Sequence, residues 1–513
     1  MNQYFKKYAL LLMVSMLVSL QACGADSIGV ADENTGGGAG VTQGGSQDFG
    51  LFKDILRRGE IPGPGTLDEL GFFAEHKIEL PEANCGQDVC LHGLLGVMGN
   101  MISGSNCTMV LVGLNTPIDP QDLQRPALDL AIAVDTSGSM QGERISFVRE
   151  GLLAMLPSLQ EGDRITLVGY GDRAEVLAES LPAGSVGLEN AIRALGTAGS
   201  TNIYDGLRTA FESLPTEASS DRQRRVILLS DGLTNTGLVD EPRILRLAQA
   251  YGQEGVGLTT IGVGQEFNVE LMRGLSEFGA GNFYFLQDPR AVLEVFTEEV
   301  NTFLVPIAEA VDINIEAGSG YKLRRVHGTR LWSFEGKDAV ISIPSLFVAG
   351  RTNAEDNDQG RRGGGGAIVA ELIPDPAGSQ TEPGDVGELT LTWNDPLTGE
   401  PFSQQVPVAS TLAPGETPEA GLFANASVEK AFVMLNIYVG FEMAIERAAS
   451  GGAVDALRVL ESLRTNVTAW YQTNRDPDIE DDLVLIGLFI QNLNRAGFSN
   501  PPQSALPDPW PQD

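Results

Sequence analysis

The stretch that decides the fold is LDLAIAVDTSGSM, residues 128–140. Residues 128–134 are almost all apolar, which predicts a strand buried on both faces, as in a parallel sheet covered by helices. The strand ends in Asp135, Ser137 and Ser139, arranged as D-x-S-x-S, and a helical pattern begins a few residues later. Ligands of open α/β sheets bind at the carboxyl ends of the strands. The sequence therefore predicts a doubly wound α/β domain with a polar site at this strand end.

Two further oxygen-bearing residues lie where such a sheet would bring them to the same site. Thr201 is in GSTNIYDGL, a Gly-led turn that opens a helical pattern, and Asp231 follows the apolar strand in RRVILLSDG. Hydroxyl and carboxylate oxygens are hard donors of the kind that Mg²⁺ prefers. The alternative is that the hydroxyls only cap helices and that Asp231 closes a turn. The predicted metal ligands are Asp135, Ser137, Ser139, Thr201 and Asp231.

These five residues, and the order of strands and helices around them, resemble a von Willebrand factor A (VWA) domain with a complete metal-ion-dependent adhesion site. The resemblance implies that Ser137, Ser139 and Thr201 approach the metal directly. It implies that Asp135 and Asp231 act largely through waters, and that a Glu or Asp of a partner protein fills the open position. The implied ion is Mg²⁺, with Mn²⁺ or Ca²⁺ as alternatives. The rim expected to set specificity consists of Gly138, Gln141, Asn202 and Leu233.

The pattern of residues 127–304 predicts the elements of this VWA domain. A helix is expected at 143–159, an antiparallel edge hairpin at 164–170 and 174–178, and a closing helix at 289–304. The domain as a whole is expected to be Rossmann-like, with a flanking β-sandwich and a C-terminal helical segment.

The N-terminal residues have the pattern of an exported bacterial lipoprotein. Residues 1–22 combine Lys6 and Lys7 with a short apolar core, which indicates a signal peptide. LQAC at 20–23 resembles a lipobox, which implies lipid attachment at Cys23. Gly24, where Asp would favour the inner membrane, favours the outer membrane or the cell surface of a bacterial envelope. Residues 23–50 are rich in Gly, Ser, Asp and Gln and are predicted to be a flexible tether.

Three cysteines lie in the next region, 51–126, which we expect to be a VWA-associated region with two short helices and a strand. Cys85, Cys90 and Cys107 can form only one disulfide among themselves. A bridge that includes Cys107 is favoured, because closing a longer loop removes more freedom from the unfolded chain. Zinc is the competing interpretation, with His92 nearby.

Beyond residue 304 the apolar period changes to two, and several alternating stretches predict a β-sandwich at 305–412. In related bacterial VWA proteins the segment before the VWA domain supplies part of this sandwich, so residues 107–114 are a candidate strand. His327 is expected at its surface. Helical spacing returns at 424–497, and the proline-rich stretch 498–513 is predicted to be a disordered tail.

Charge and motifs limit the function. The formal net charge of −34 makes nucleic acid and anionic membrane surfaces poor partners for the body of the protein. A Mg²⁺-dependent phosphatase of the D-x-D-x-T type would need a second acid where Ser137 stands, and no G-x-S-x-G elbow is present. We therefore predict a lipid-anchored protein that is not an enzyme and that binds an unknown protein through the metal. An envelope-maintenance scaffold with a purely structural metal is the alternative.

Overall fold

The computed structural model describes residues 39–46, 49–119, 126–217, 222–231, 234–263, 268–286, 305–349 and 367–497. All of them belong to one unit of the chain, Gly38–Asp513. Several predictions lie outside the described residues: the signal peptide, Cys23, Leu233, the closing helix at 289–304 and the tail at 498–513.

Eighteen strands and ten α-helices lie in the described residues, numbered here in chain order. The strands are β1 Ala39–Thr42, β2 Gly45–Ser46, β3 Cys90–Gly99, β4 Asn106–Thr116, β5 Ala127–Asp135, β6 Arg164–Tyr170, β7 Ala174–Pro182, β8 Arg222–Ser230, β9 Val256–Val263, β10 Asn282–Leu286, β11 Pro306–Ala317, β12 Tyr321–His327, β13 Trp332–Glu335, β14 Asp338–Ala349, β15 Ile368–Pro374, β16 Gly384–Asn394, β17 Pro401–Ser410 and β18 Leu422–Phe423. The helices are α1 Gly50–Arg57, α2 Glu69–Glu75, α3 Glu143–Met155, α4 Val186–Arg193, α5 Ile203–Glu212, α6 Glu241–Gln253, α7 Val269–Phe278, α8 Ala426–Ala449, α9 Ala453–Thr473 and α10 Pro477–Arg495.

The first sheet is built around β5, as its apolar sequence predicts. Its seven strands lie in the order β2-β10-β9-β8-β5-β6-β7, and only β7 is antiparallel to its neighbour. Alternate side chains of β5 face two separate cores: Ile132 packs with α3 and α4, and Ala133 packs with α5, α6 and α7. Helices on both faces explain why β5 is apolar throughout. The predicted doubly wound α/β fold is confirmed.

The hairpin and the first helix predicted for this domain are present, and each differs from the prediction at one end. The edge hairpin is present, although β7 extends to Pro182 rather than ending near Ala178. The first helix ends at Met155 rather than at residue 159, because Pro157 cannot donate the next helical hydrogen bond. A 3₁₀ turn at Leu156–Ser158 follows.

The second sheet is antiparallel and contains strands that come before and after the doubly wound α/β domain in the chain. Its eleven strands include the path β12-β15-β4-β1-β14-β11-β16-β17, with β13 beside β14 and with β3 pairing both β4 and β18. One face encloses an apolar core that contains Val110, Ile313 and Leu391. The predicted strands beyond residue 304 are present. They form one continuous sheet with β1, β3 and β4. The candidate strand at 107–114 is present as β4, so this layer extends beyond the predicted range 305–412.

The prediction of a flexible tether at residues 23–50 is wrong for Ala39–Ser46, which contains two short strands. β1 lies between β4 and β14 of the second sheet, and β2 runs parallel to β10 at the edge of the first. Val41 is 3% exposed, and Gly44 and Gly45 turn the chain between the sheets at φ 78° and 85°. A strand this short is held mainly by its backbone hydrogen bonds and one buried apolar side chain. Its Gly-rich composition therefore gives no sign of a strand in the sequence.

A helical layer covers the other face of the second sheet. Helices α8, α9 and α10 pack with α1 and α2 in a core that includes Phe52, Phe72, Phe432 and Phe489. The break between α8 and α9 falls at Gly451, whose φ of 84° favours glycine, as the sequence predicts. Among the described helices, none combines the length and apolar character needed to cross a membrane.

Candidate metal site

Three loops meet at the carboxyl ends of β5 and β8. The backbone N–H of Gly138, in the loop after β5, donates to the carbonyl of Gly199 at 3.1 Å. The N–H of Asn235, beyond β8, donates to the carbonyl of Thr201 at 3.0 Å. The loop that carries Thr201 is therefore hydrogen-bonded to both others. This is the end of the sheet where the sequence predicts the site.

Four of the five predicted ligands are linked by one chain of hydrogen bonds. The Ser137 N–H donates to Asp135 Oδ1 at 2.8 Å, and the Ser137 and Ser139 hydroxyls lie 2.9 Å apart. The Ser139 hydroxyl donates to Asp231 Oδ1 at 2.8 Å. Asp135 is held on its other oxygen by the Ser230 hydroxyl at 2.9 Å. The D-x-S-x-S turn thus brings the Ser139 hydroxyl to the carboxylate of Asp231, directly after β8, and the Ser137 hydroxyl to Ser139.

The site is buried at its base and open at its top. Asp135, Asp231, Ser137 and Thr201 are each at most 2% exposed, whereas Ser139 is exposed. Burial raises the pKa of Asp135, as does the nearby Asp231, while hydrogen bonds from Ser137 and Ser230 lower it. Among the predicted ligands, all of which lie in the described residues, Ser139 is the exposed one.

The donors fit a hard divalent cation. Two carboxylates and three hydroxyls supply oxygen only, which suits Mg²⁺ and Mn²⁺ better than ions that prefer sulfur or imidazole. Among the described residues no group of three or more His, Cys, Asp or Glu side chains could hold a metal. The two carboxylates alone do not form such a group, so a metal site here would draw further oxygens from the hydroxyls or from water.

Arg144 is part of the site and was not identified from the sequence. Its Nη1 lies 2.5 Å from Asp231 Oδ2 and 3.3 Å from the Ser139 carbonyl. The side chain is 32% exposed, so it reaches from the solvent into the buried carboxylate. The sequence does hold one indication: a positively charged residue in the first turn of α3, where the helix dipole disfavours positive charge.

The predicted rim is only partly accessible. Gly138 and Gln141 are exposed, as expected. Asn202 is buried and caps α5 by accepting from the Asp205 N–H, so its assignment to the rim is wrong. Asp172, in the turn between β6 and β7, is exposed beside this loop instead, and its carboxylate accepts from the Ser200 N–H at 2.9 Å.

The cysteines pair differently from the prediction. Cys85 and Cys90 form a disulfide, and Cys107 is a buried free thiol whose pKa burial raises well above its usual value. In the β3–β4 hairpin Cys90 lies opposite Asn115 and Cys107 opposite Met98, so these two cysteines are at opposite ends. The bridge to Cys107 is therefore wrong, and the disulfide also removes the thiolates that the zinc interpretation requires.

Comparison with known proteins identifies the first sheet and its helices. Residues 129–299 match the family model of the von Willebrand factor type A domain. The uncharacterized protein YfbK of Escherichia coli is 28% identical over 201 residues, which are 39% of this chain and 35% of YfbK. This chain thus spans about a third of that relative. The uncharacterized protein sll0103 of Synechocystis is 26% identical over 349 residues, 67% of this chain and 79% of sll0103.

A solved von Willebrand factor type A protein from Catenulispora acidiphila is similar, with a TM-score of 0.49 and 15% identity over 76% of this chain and 88% of that one. The fold and the family match show that this chain contains a VWA domain. In this chain an antiparallel sheet and C-terminal helices accompany the domain.

Proposed function

We propose that this protein binds another protein through a divalent cation held at its VWA domain. VWA domains are typically modules of metal-mediated protein interaction or adhesion. The observation that carries the proposal is the hydrogen-bonded chain from Asp135 through Ser137 and Ser139 to Asp231, buried at its base and exposed at Ser139.

The chemistry of the donors favours binding over catalysis. Ser137, Ser139 and Thr201 would hold the ion through neutral oxygens, and Asp135 and Asp231 would add two negative charges close by. Mg²⁺, when bound, would supply an open position for one more anionic oxygen. A carboxylate of a partner protein would approach beside Ser139, the exposed member of the set.

An enzymatic role lacks the groups that it needs. A phosphatase would require an acid where Ser137 stands, and a hydroxyl cannot protonate a leaving group in that way. All three histidines have partners elsewhere: His76 contacts Asp482, His92 contacts Asn115, and His327 lies between two glutamates. We therefore infer that the protein is an interaction module.

We propose further that Cys23 carries lipid and holds the protein in a bacterial envelope, at the outer membrane or the cell surface. The support is the lipobox-like LQAC that follows a short apolar segment. Labelled palmitate should enter the wild type and not Cys23→Ser. Unchanged membrane partitioning of Cys23→Ser would contradict lipid anchoring at this residue.

The test of the function separates bridging from a purely structural metal. Binding of Mg²⁺ to the full chain, measured by calorimetry, should be lost in both Asp135→Ala and Asp231→Ala. Thr201→Ala should weaken capture of a crosslinked protein partner by about tenfold or more, a loss of ~1.4 kcal/mol, with little change in melting temperature.

Two outcomes would decide against the proposal. Unchanged Mg²⁺ affinity in both aspartate variants would remove the metal site. Partner capture that survives in EDTA at full strength, while the protein loses stability, would support the scaffold with a structural metal.

A further inference from the structure

Arg144 forms an ion pair with one carboxylate of the candidate metal site. Its guanidinium reaches Asp231 Oδ2 at 2.5 Å, while the other oxygen of the same carboxylate accepts from Ser139. The side chain of Asp231 is completely buried. Asp135, the second buried carboxylate, is held by neutral donors from Ser137 and Ser230. Within the described part of the chain, Arg144 is thus the only cation hydrogen-bonded to either carboxylate.

A positive charge at the position of Arg144 is destabilising unless the contact with Asp231 compensates for it. The residue is second in α3, after the N-terminal cap Gly142, where the aligned peptide dipoles repel a cation. A buried carboxylate, conversely, is strongly destabilising without a charged or hydrogen-bonding partner. The ion pair offsets both effects. Removing Asp231 would leave Arg144 with its charge at a helix N-terminus, and removing Arg144 would leave the buried Asp231 carboxylate without a charged partner.

We propose that Arg144 is a resident counter-ion that competes with the divalent cation for Asp231 and thereby lowers the metal affinity of the site. This inference rests on the proposed function, because it assumes that a cation binds at these residues. With Arg144 in place the two carboxylates and the guanidinium carry one net negative charge. Without it they carry two, and a divalent cation is attracted more strongly.

A purely orienting role makes the opposite prediction. If Arg144 served only to hold Asp231 in position for the metal, its removal would loosen the carboxylate and weaken metal binding. Competition and orientation therefore differ in the sign of one measurable quantity, the dissociation constant for the metal.

The experiment uses the full chain, stripped of metal with EDTA and dialysed, and titrated with Mg²⁺ and with Mn²⁺. The variants are Arg144→Gln, Arg144→Lys and the control Arg193→Gln. Arg193 is exposed on α4, 3.8 Å from Glu189, so its replacement changes the net charge equally without touching the site. Melting temperature in EDTA is measured for every protein.

We expect Arg144→Gln to bind Mg²⁺ about tenfold more tightly than the wild type and to melt at a lower temperature in EDTA. Arg144→Lys should bind close to the wild type, because a single ammonium keeps the charge while losing the planar fork. It also supplies a folded variant should Arg144→Gln fail to fold, and a Lys variant that binds metal far more tightly would contradict the proposal. Arg193→Gln should match the wild type in both measurements.

Two results would overturn the inference. If the wild type binds Mg²⁺ and Arg144→Gln binds equally or more weakly, Arg144 does not compete, and the proposed function stands. If neither the wild type nor any variant binds Mg²⁺ or Mn²⁺, the proposed function fails and this inference fails with it.

Discussion

His327 lies between two carboxylates in the interior of the molecule. Its Nδ1 is 3.0 Å from Glu69 and its Nε2 is 2.9 Å from Glu371, and the side chain is only 1% exposed. Glu69 also faces Arg325, which pairs in turn with Glu442 on α8. The expectation of a surface histidine is therefore wrong: His327 joins β12 to α2 and β15.

The charge of His327 should make stability depend on pH. Burial alone lowers the pKa of His327, but Glu371 and Glu69 raise it from 6.5 to about 9. A raised pKa means that the stabilisation is fully present below 6.5 and is lost as pH rises through about 9. Near pH 6.5, His327→Gln should be less stable to unfolding than the wild type by ~3–5 kcal/mol, as expected when one partner of a buried ion pair is removed. The difference from the wild type should shrink toward high pH.

The free energy of unfolding, measured with denaturant between about pH 7.5 and about pH 9.5, checks this prediction. The window starts above the pKa of another buried group, so that its titration does not overlap with that of His327. Burial raises the pKa of Glu277 to about 7, so its contribution is lost as pH rises from 4.5 through that value. His92→Gln is the matched control, since His92 contacts only the neutral Asn115 among the described side chains. A constant difference between wild type and His327→Gln across this window would refute the assignment.

The residues of the candidate metal site show how far the position of a residue in the sequence predicts its place in the structure. Asp135, Ser137, Ser139 and Asp231 were predicted to meet because each follows a predicted strand, and the structure brings them within hydrogen-bonding distance. Their role as ligands stays a prediction. Arg144 could not be placed, because a helix position alone does not tell which carboxylate of another strand a flexible side chain reaches.

At the scale of elements, the strands that the sequence conceals are those that depend on distant partners. β5 is long and apolar, so its own residues predict it. β1 and β2 have four and two residues, and only their pairing with β14, β4 and β10 defines them. The hairpin of β3 and β4 likewise separates Cys90 from Cys107, which no spacing rule could show.

A matched pair of deletions tests the structural role of β1 and β2. Removing residues 24–38 should leave unfolding unchanged, because the composition of that stretch predicts a flexible tether. Removing residues 24–46 should reduce stability by at least ~2 kcal/mol. That variant loses the burial of Val41, worth about 1.5–3 kcal/mol, and the backbone pairing with both sheets. Equal unfolding midpoints for the two deletions would contradict this role.

At the scale of the whole molecule, the VWA domain is inserted between two parts of the second sheet. β1, β3 and β4 precede it and β11 to β18 follow it, so the chain leaves and re-enters the same antiparallel sheet. Contacts between the VWA domain and the rest of the molecule include Arg225 over the Phe347 ring of β14 at 5.1 Å. Arg273 also forms an ion pair with Asp68, the N-terminal cap of α2. Arg225 lies five positions before Ser230 on β8, so this contact leaves the site at the strand end accessible. Sequence periodicity could not predict the insertion, because it reports local elements and not which distant strands pair.

The charge of the whole protein should select the partner. A net charge of −34 repels acidic surfaces at long range, so a carboxylate on an acidic face would gain little from the metal site. The same carboxylate on a neutral or basic face would gain both the contact beside Ser139 and a favourable field. We therefore predict a protein partner with a neutral or basic face that carries one essential Asp or Glu.

Crosslinking with Mg²⁺ present, followed by mapping of the linked peptides, identifies that face. Replacing the mapped Asp or Glu of the partner by Asn or Gln should weaken binding about tenfold or more, a loss of ~1.4 kcal/mol. Replacing a second carboxylate of the partner, outside the linked face, is the control and should leave binding unchanged. Because long-range attraction is screened by salt, the association rate should also fall as ionic strength rises. A strongly acidic linked face, or an association rate that rises with salt, would show that the field of this protein does not choose its partner.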